Sequence, residues 1–161
     1  MTDHPGSTPV HQADFGGVPL QIALIAHDHN KRELLDWAQR HRDTLAHHEL
    51  HATGTTGALV EQELGLPVVR HLSGPLGGDL QVGALIAEGG VDLLVFFWDP
   101  LEAQPHDPDV KALLRAAVLW NVPVANNVAS ADLILASPLM TGEYRRTVPD
   151  HSAYAARTLP A

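Results

Sequence analysis

Short apolar runs alternate with segments of helical period five times along the chain. The runs at 22–26, 50–52, 68–71, 93–98 and 122–126 are followed by helical patterns at 31–41, 57–64, 81–88, 110–120 and 129–136. No other feature constrains the fold as strongly. Strands separated by helices pair in parallel. A strand covered on both faces carries an unbroken apolar run, as Leu93-Leu94-Val95-Phe96-Phe97 does. The expected fold is therefore α/β: a single doubly wound, flavodoxin-like domain, whose five-stranded, mainly parallel sheet has helices on both faces. A chain of 161 residues holds one such core and not two. Residues 1–20 lack periodicity and are rich in Gly, Pro and polar groups, so they are expected to be a disordered tail, with the domain at 21–161. Beyond Pro138 the pattern fades into an expected arm or last helix.

Charge and composition remove several function classes. A net charge of −9, from 19 acidic and 10 basic residues, leaves no basic stripe for a phosphodiester backbone, so nucleic acid is not an expected partner. A small anion is still admissible, because local N–H groups and one or two cations set the field of a pocket. With no cysteine in the chain, thiolate nucleophiles, disulfides and cysteine-ligated metals are excluded, and the composition suits a reducing, cytoplasmic setting. The amino-terminal residues carry no secretory pattern, and no apolar run approaches the roughly 20 residues of a membrane span.

Two helix starts carry recognisable signals. Asn30 with Glu33 has the form of a capping box, and Asp107 before Pro108 has the form of an N-cap followed by a first-turn proline. In doubly wound sheets ligands sit beyond the carboxyl ends of the strands, which directs attention to four polar βα connections. The first is His27-Asp28-His29-Asn30-Lys31, in which Lys31 is either an anion contact or a solvated first-turn residue. The second, Thr53-Gly54-Thr55-Thr56-Gly57, has the hydroxyls and glycines of a phosphate cradle, although a plain threonine-capped turn would look the same. In the third, Ser73-Gly74-Pro75-Leu76-Gly77-Gly78-Asp79, the carboxylate of Asp79 either caps its helix or faces a ligand. The fourth runs from Asp99 to Asp109 and is stiffened by Pro100, Pro105 and Pro108. There His106, just ahead of a helix, reads as a neutral imidazole donor or a surface histidine. Eleven histidines and the His27-x-His29 spacing raise a metal site as a rival, but no His-x-x-x-His pair falls on a helix, and no metal is expected.

Taken together, Ala26-His27-Asp28-His29-Asn30-Lys31, Ala52-Thr53-Gly54-Thr55-Thr56-Gly57, Leu72-Ser73-Gly74-Pro75-Leu76-Gly77-Gly78-Asp79 and Phe96-Phe97-Trp98-Asp99-Pro100 with His106-Asp107-Pro108-Asp109 resemble methylglyoxal synthase. The resemblance runs in order over about residues 22–136. It implies a lyase that converts dihydroxyacetone phosphate to methylglyoxal and inorganic phosphate without metal or organic cofactor. It also implies a cytoplasmic homohexamer inhibited by phosphate. Carried over position by position, the general base falls on Asp79 and the substrate contacts on His27, Lys31, Thr53, Gly54, Thr55, Thr56, Ser73, Gly74 and His106. Asp28, Asp99 and Asp109 match acidic positions of the family's site, and Asp109 is expected to orient the His106 ring. Near the carboxyl end the family tends to place arginines that reach between subunits, and Arg145, Arg146 and Arg157 are present in that part of this chain. The runner-up is a regulatory binding module, since a similar cradle occurs in the allosteric domain of carbamoyl phosphate synthetase. A triose phosphate isomerase-like activity shares the enediolate and is disfavoured by fold.

Overall fold

The computed structural model describes residues 12–14, 17–142 and 144–158. Five strands, β2 (Gln21–Ala26), β3 (Glu49–Ala52), β4 (Val68–Arg70), β5 (Leu93–Phe97) and β6 (Val124–Ala125), form one sheet in the order β4-β3-β2-β5-β6. Every pairing in it is parallel. The chain winds outward from β2 to β4, then crosses back to β5 and out to β6, so it is doubly wound as the alternation requires. The order differs in detail from flavodoxin's own, because the first strand of this sheet is its centre. The direction of winding switches between β2 and β5.

Alternating side chains divide the core into two layers. On β2, Ile22, Leu24 and Ala26 face one layer with Leu93, Val95 and Phe97 of β5. That layer is closed by α1 (Lys31–Arg40), α3 (Gly54–Leu64) and α6 (Val128–Ala136) through Leu34, Trp37, Val60, Leu64, Ala131 and Leu135. Ala23, Ile25, Leu94 and Phe96 face the other layer, closed by α4 (Gly78–Ala87) and α5 (Asp107–Leu119) through Val82, Ile86, Val110, Leu113 and Ala117. The central strands are therefore buried on both faces, which is why they carry no polar alternation. Each fully buried Leu, Ile or Phe contributes about 1.5–3 kcal/mol.

The helix starts differ from expectation in an informative way. Both α3 and α4 begin three residues earlier than the apolar period suggests, so the polar, glycine-rich stretches 54–56 and 78–80 are first helical turns and not loops. The capping box at Asn30 is not formed. A short 3-10 turn (Asp28–Asn30) precedes α1 and leaves Asn30 at φ −104°, ψ 0°, and its side chain donates instead to the Phe97 carbonyl at 3.1 Å. Asp107 is the first residue of α5 and accepts from the Gln104 N–H, so the residue at the cap position is His106. Asn127 does cap α6, accepting from the Ser130 N–H at 2.9 Å.

At the opposite end of the sheet a second, two-stranded element pairs β1 (Gln12–Asp14) with β7 (Arg145–Thr147) in antiparallel register. Residues 12–14 of the expected tail are thus a strand, while residues 1–11 lie outside the described residues. The arm beyond Pro138 holds β7 and a short helix, α2 (Arg42–Leu45) being the other short one; the arm's helix is α7 (Ser152–Ala155). Arg146 pins the arm down. It is buried, donates to the Trp120 and Asn121 carbonyls at 3.0 and 3.3 Å, and lies 3.6 Å from Asp92.

Candidate active site

Because the sheet is parallel, the carboxyl ends of β2, β3, β4 and β5 open on one edge, and the crevice at the β2/β5 switch lies there. A cavity of about 200 Å³ occupies it. His27, Asp28 and Lys31 reach it from the end of β2, Thr53, Thr55 and Thr56 from β3 and the first turn of α3, Ser73 and Gly74 from the β4 connection, Asp79 from α4, and His106 from the start of α5. All but three of the expected site residues therefore meet in one place. Gln104, inside the fourth connection but not among the residues picked out there, also lines the cavity.

The three exceptions do not line the cavity. Gly54 lets two connections pack closely, since a Cβ there would come within 3.1 Å of the Ser73 nitrogen and 3.2 Å of the His71 carbonyl. Asp99 is buried and points away, accepting from the Leu101 N–H at 2.9 Å and from His29 Nδ1 at 3.0 Å. These bonds, the backbone one foremost, hold its carboxyl below the usual carboxylate range. Asp109 does not make the expected bond to the His106 ring, whose Nδ1 has no hydrogen-bond partner among the described residues. Asp109 lies in the first turn of α5, and its charge acts on Asp79 instead.

Within the cavity the polar atoms are left open in a telling pattern. Asp79 is 1% exposed, yet neither of its carboxylate oxygens accepts a hydrogen bond from the described residues. It caps nothing, although it stands in the first turn of α4. Burial pushes its carboxyl above the ordinary carboxylate range and Asp109 adds to this, against the opposing pull of His106 and Lys31. His106 Nε2 lies 3.6 Å from Asp79 Oδ2. Gly74 faces that ring so closely that a Cβ would sit 2.7 Å from Nε2. Thr56 Oγ1 is likewise buried without a partner.

The tautomer of His27 follows from its neighbour. The Asp99 peptide N–H donates to His27 Nδ1 at 3.0 Å, so Nδ1 is the acceptor and the proton sits on Nε2, which is buried and unpartnered on the cavity side. Desolvation first, then His106 and Lys31, lowers the ring's pKa, which keeps it a neutral donor. Lys31, the cation of the cavity lining, donates to the Ala26 carbonyl at 2.8 Å and pairs with Asp28 at 2.9 Å. Asp28, drawn below the usual carboxylate range chiefly by Lys31, is almost fully exposed.

Among the described residues, His27, Asp79 and His106 form a group with one ligand-type atom each within 4.8 Å of one another. The spacing would admit a cation, but the hydrogen bonding at His27 speaks against one. Ligand histidines as a rule donate through the nitrogen remote from the metal, whereas His27 accepts at Nδ1 and carries its proton on the nitrogen that would have to coordinate. The arrangement is suited to a carboxylate base facing a carbonyl compound, with N–H and O–H donors around it and one cation at the rim. Among the described residues no helix is long and apolar enough to cross a membrane.

A family model described as an MGS-like domain matches residues 33–126. The methylglyoxal synthase of Cellvibrio japonicus is 62% identical over 136 residues, covering 84% of this chain and 88% of that protein. That of Coxiella burnetii is 55% identical over 139 residues, covering 86% and 97%. The crystal structure of methylglyoxal synthase from Elizabethkingia anophelis superposes with a TM-score of 0.85 at 49% identity, covering 95% of this chain and 99% of that one.

Proposed function

The chain belongs to the methylglyoxal synthase family, and on that premise we propose how its residues convert dihydroxyacetone phosphate to methylglyoxal and inorganic phosphate. The reading rests above all on Asp79, a buried carboxylate with both oxygens free to meet a ligand. Asp79 removes a proton from the hydroxymethyl carbon, and its raised pKa brings it closer to the strength such a base needs. The carbonyl oxygen becomes an enediolate oxygen and is met by the N–H of His27 and by His106, donors fixed in place before charge develops. The C–O bond to the bridging phosphate oxygen then breaks, the enediolate electrons form the new double bond, and the enol product tautomerises to methylglyoxal.

Elimination requires that breaking bond to stand perpendicular to the enediolate plane, where it overlaps the π system; held in the plane, the same intermediate would be reprotonated as in an isomerase. Thr53, Thr55, Thr56, Ser73 and Gly74, with the amino-terminal turn of α3, are the phosphate cradle that sets this angle, and Lys31 leaves Asp28 to pair with the departing dianion. Asp99 sets the tautomer of His27, and Asp109 raises the basicity of Asp79.

Product phosphate fits the same cradle and is the inhibitor we propose. A cytoplasmic homohexamer is proposed from family membership, with exposed apolar residues Val118 and Leu133 available for subunit contacts. The test is to incubate the purified, chelator-treated protein with dihydroxyacetone phosphate and follow inorganic phosphate and trapped dicarbonyl together. Equal release of both is expected. Phosphate binding without either product would make the chain a regulatory module, and glyceraldehyde phosphate as the product would make it an isomerase.

A further inference from the structure

His29 lies outside the cavity with 65% of its side chain exposed, yet a short hydrogen-bonded path joins it to the reacting groups. Its Nδ1 lies 3.0 Å from Asp99 Oδ2, and an ionised carboxylate only accepts, so the ring donates. Oδ1 of the same carboxylate accepts from the Leu101 N–H at 2.9 Å, so Asp99 is gripped from both sides. Its peptide N–H makes the 3.0 Å bond to His27 Nδ1 that puts the proton on Nε2. Carboxylate and peptide nitrogen belong to one residue, at the head of a connection without regular structure that runs to α5. Holding the carboxylate at both oxygens restrains this residue, and with it the direction of its peptide N–H.

We propose that His29 is a positioning residue for the reaction: by holding Asp99 it holds the peptide N–H that fixes the His27 tautomer and aims Nε2–H into the cavity. The inference rests on the reading of His27 as a substrate donor. Without the His29 bond, the Asp99 carboxylate keeps a single anchor, at Leu101, and the peptide N–H is restrained less firmly against His27. His27 then divides between tautomers, one of which presents a bare acceptor to an oxygen that is gaining negative charge.

The test compares His29→Phe, which keeps a ring and removes the donor, with His29→Asn, whose amide donates from nearly the position of Nδ1. Turnover of dihydroxyacetone phosphate, thermal melting, and the 15N shifts of the His27 ring are measured on the full chain. In His29→Phe, kcat is expected to fall about tenfold, the scale for outer residues that orient a working histidine. KM is expected to change less than kcat, the melting temperature to stay near wild type, and the His27 shifts to move toward a tautomer mixture. His29→Asn should recover most of the loss and the wild-type shifts. Unchanged His27 shifts in His29→Phe, or equal behaviour of the two variants, would overturn the proposal whatever the rates. A wild-type protein that releases no phosphate would overturn the functional reading instead, and the ring shifts would still decide whether His29 sets the tautomer.

Discussion

Replacing Asp79 by asparagine separates catalysis from stability, because among the described residues the carboxylate accepts no hydrogen bond. The substitution is nearly isosteric and leaves the threonine cradle and Lys31 in place, so phosphate binding is expected to persist. It removes the base, and general-base catalysis is worth about 10²–10⁴ in rate; with no second carboxylate of the described residues facing the cavity from a buried position, the upper end applies. A loss of about 10³–10⁴ in kcat corresponds to about 4–5.5 kcal/mol of barrier. Stability should move the other way. A folded-state pKa above the ordinary value means that the ionised carboxylate opposes folding, a cost fully present above the folded pKa and lost as pH falls toward the ordinary range near 3.8. Asparagine carries no such charge, so the variant should be more stable than wild type at neutral pH by about 1 kcal/mol, on the scale of an unsatisfied buried group. That is a rise of about 2–4 °C in melting temperature, shrinking as pH is lowered through the carboxylate range. Coupled phosphate and dicarbonyl assays, phosphate calorimetry and melting curves from pH 4 to 8 read all three quantities. Turnover within tenfold of wild type would remove Asp79 from the role of base. A melting temperature well below wild type would show that its oxygens have structural partners after all.

Other perturbations address separate parts of the argument. His27→Ala should cut kcat by about 10²–10³, the cost of one fixed donor at a developing oxyanion, in steady-state assays at saturating substrate; a change confined to KM would assign His27 to ground-state binding alone. Gly74→Ala places a methyl group against His106 Nε2 and should lower turnover about tenfold or more, with circular dichroism unchanged. Arg146→Ala leaves two carbonyls without their donor and Asp92 without its cation; because Asp92 is partly exposed, the loss is about 2–3 kcal/mol, seen as a denaturation midpoint shift with kcat retained.

The β-then-α alternation is a local property, and it was enough to specify the five parallel strands, both helical layers and the edge on which a ligand site would open. The polar clusters after the strands were also legible, because parallel topology sends every such connection to the same side. The boundaries were less so. Residues 54–56 and 78–80 are too polar and glycine-rich to display a helical period, and they became helical turns through tertiary contacts that the apolar pattern does not record. The pairing of β1 with β7 joins segments over a hundred residues apart, neither of which shows a strand pattern by itself.

Side-chain roles divide along the same line. The sequence by itself determined which residue types stand at the site, since Asp79, His27, His106, Lys31 and the threonines are strung along strand ends whose positions follow from hydrophobic periodicity. Only the tertiary structure decided what each of them does. Asp79 is a free carboxylate because no donor among the described residues reaches hydrogen-bond distance, Asp99 faces away from the cavity because Leu101 and His29 hold it there, Asp109 misses the ring it was expected to orient, and His27 is a donor because a peptide N–H seventy-two positions later in the chain occupies its other nitrogen. Protonation and tautomer are set by neighbours within about 3 Å, and in a parallel sheet those neighbours come from distant parts of the chain.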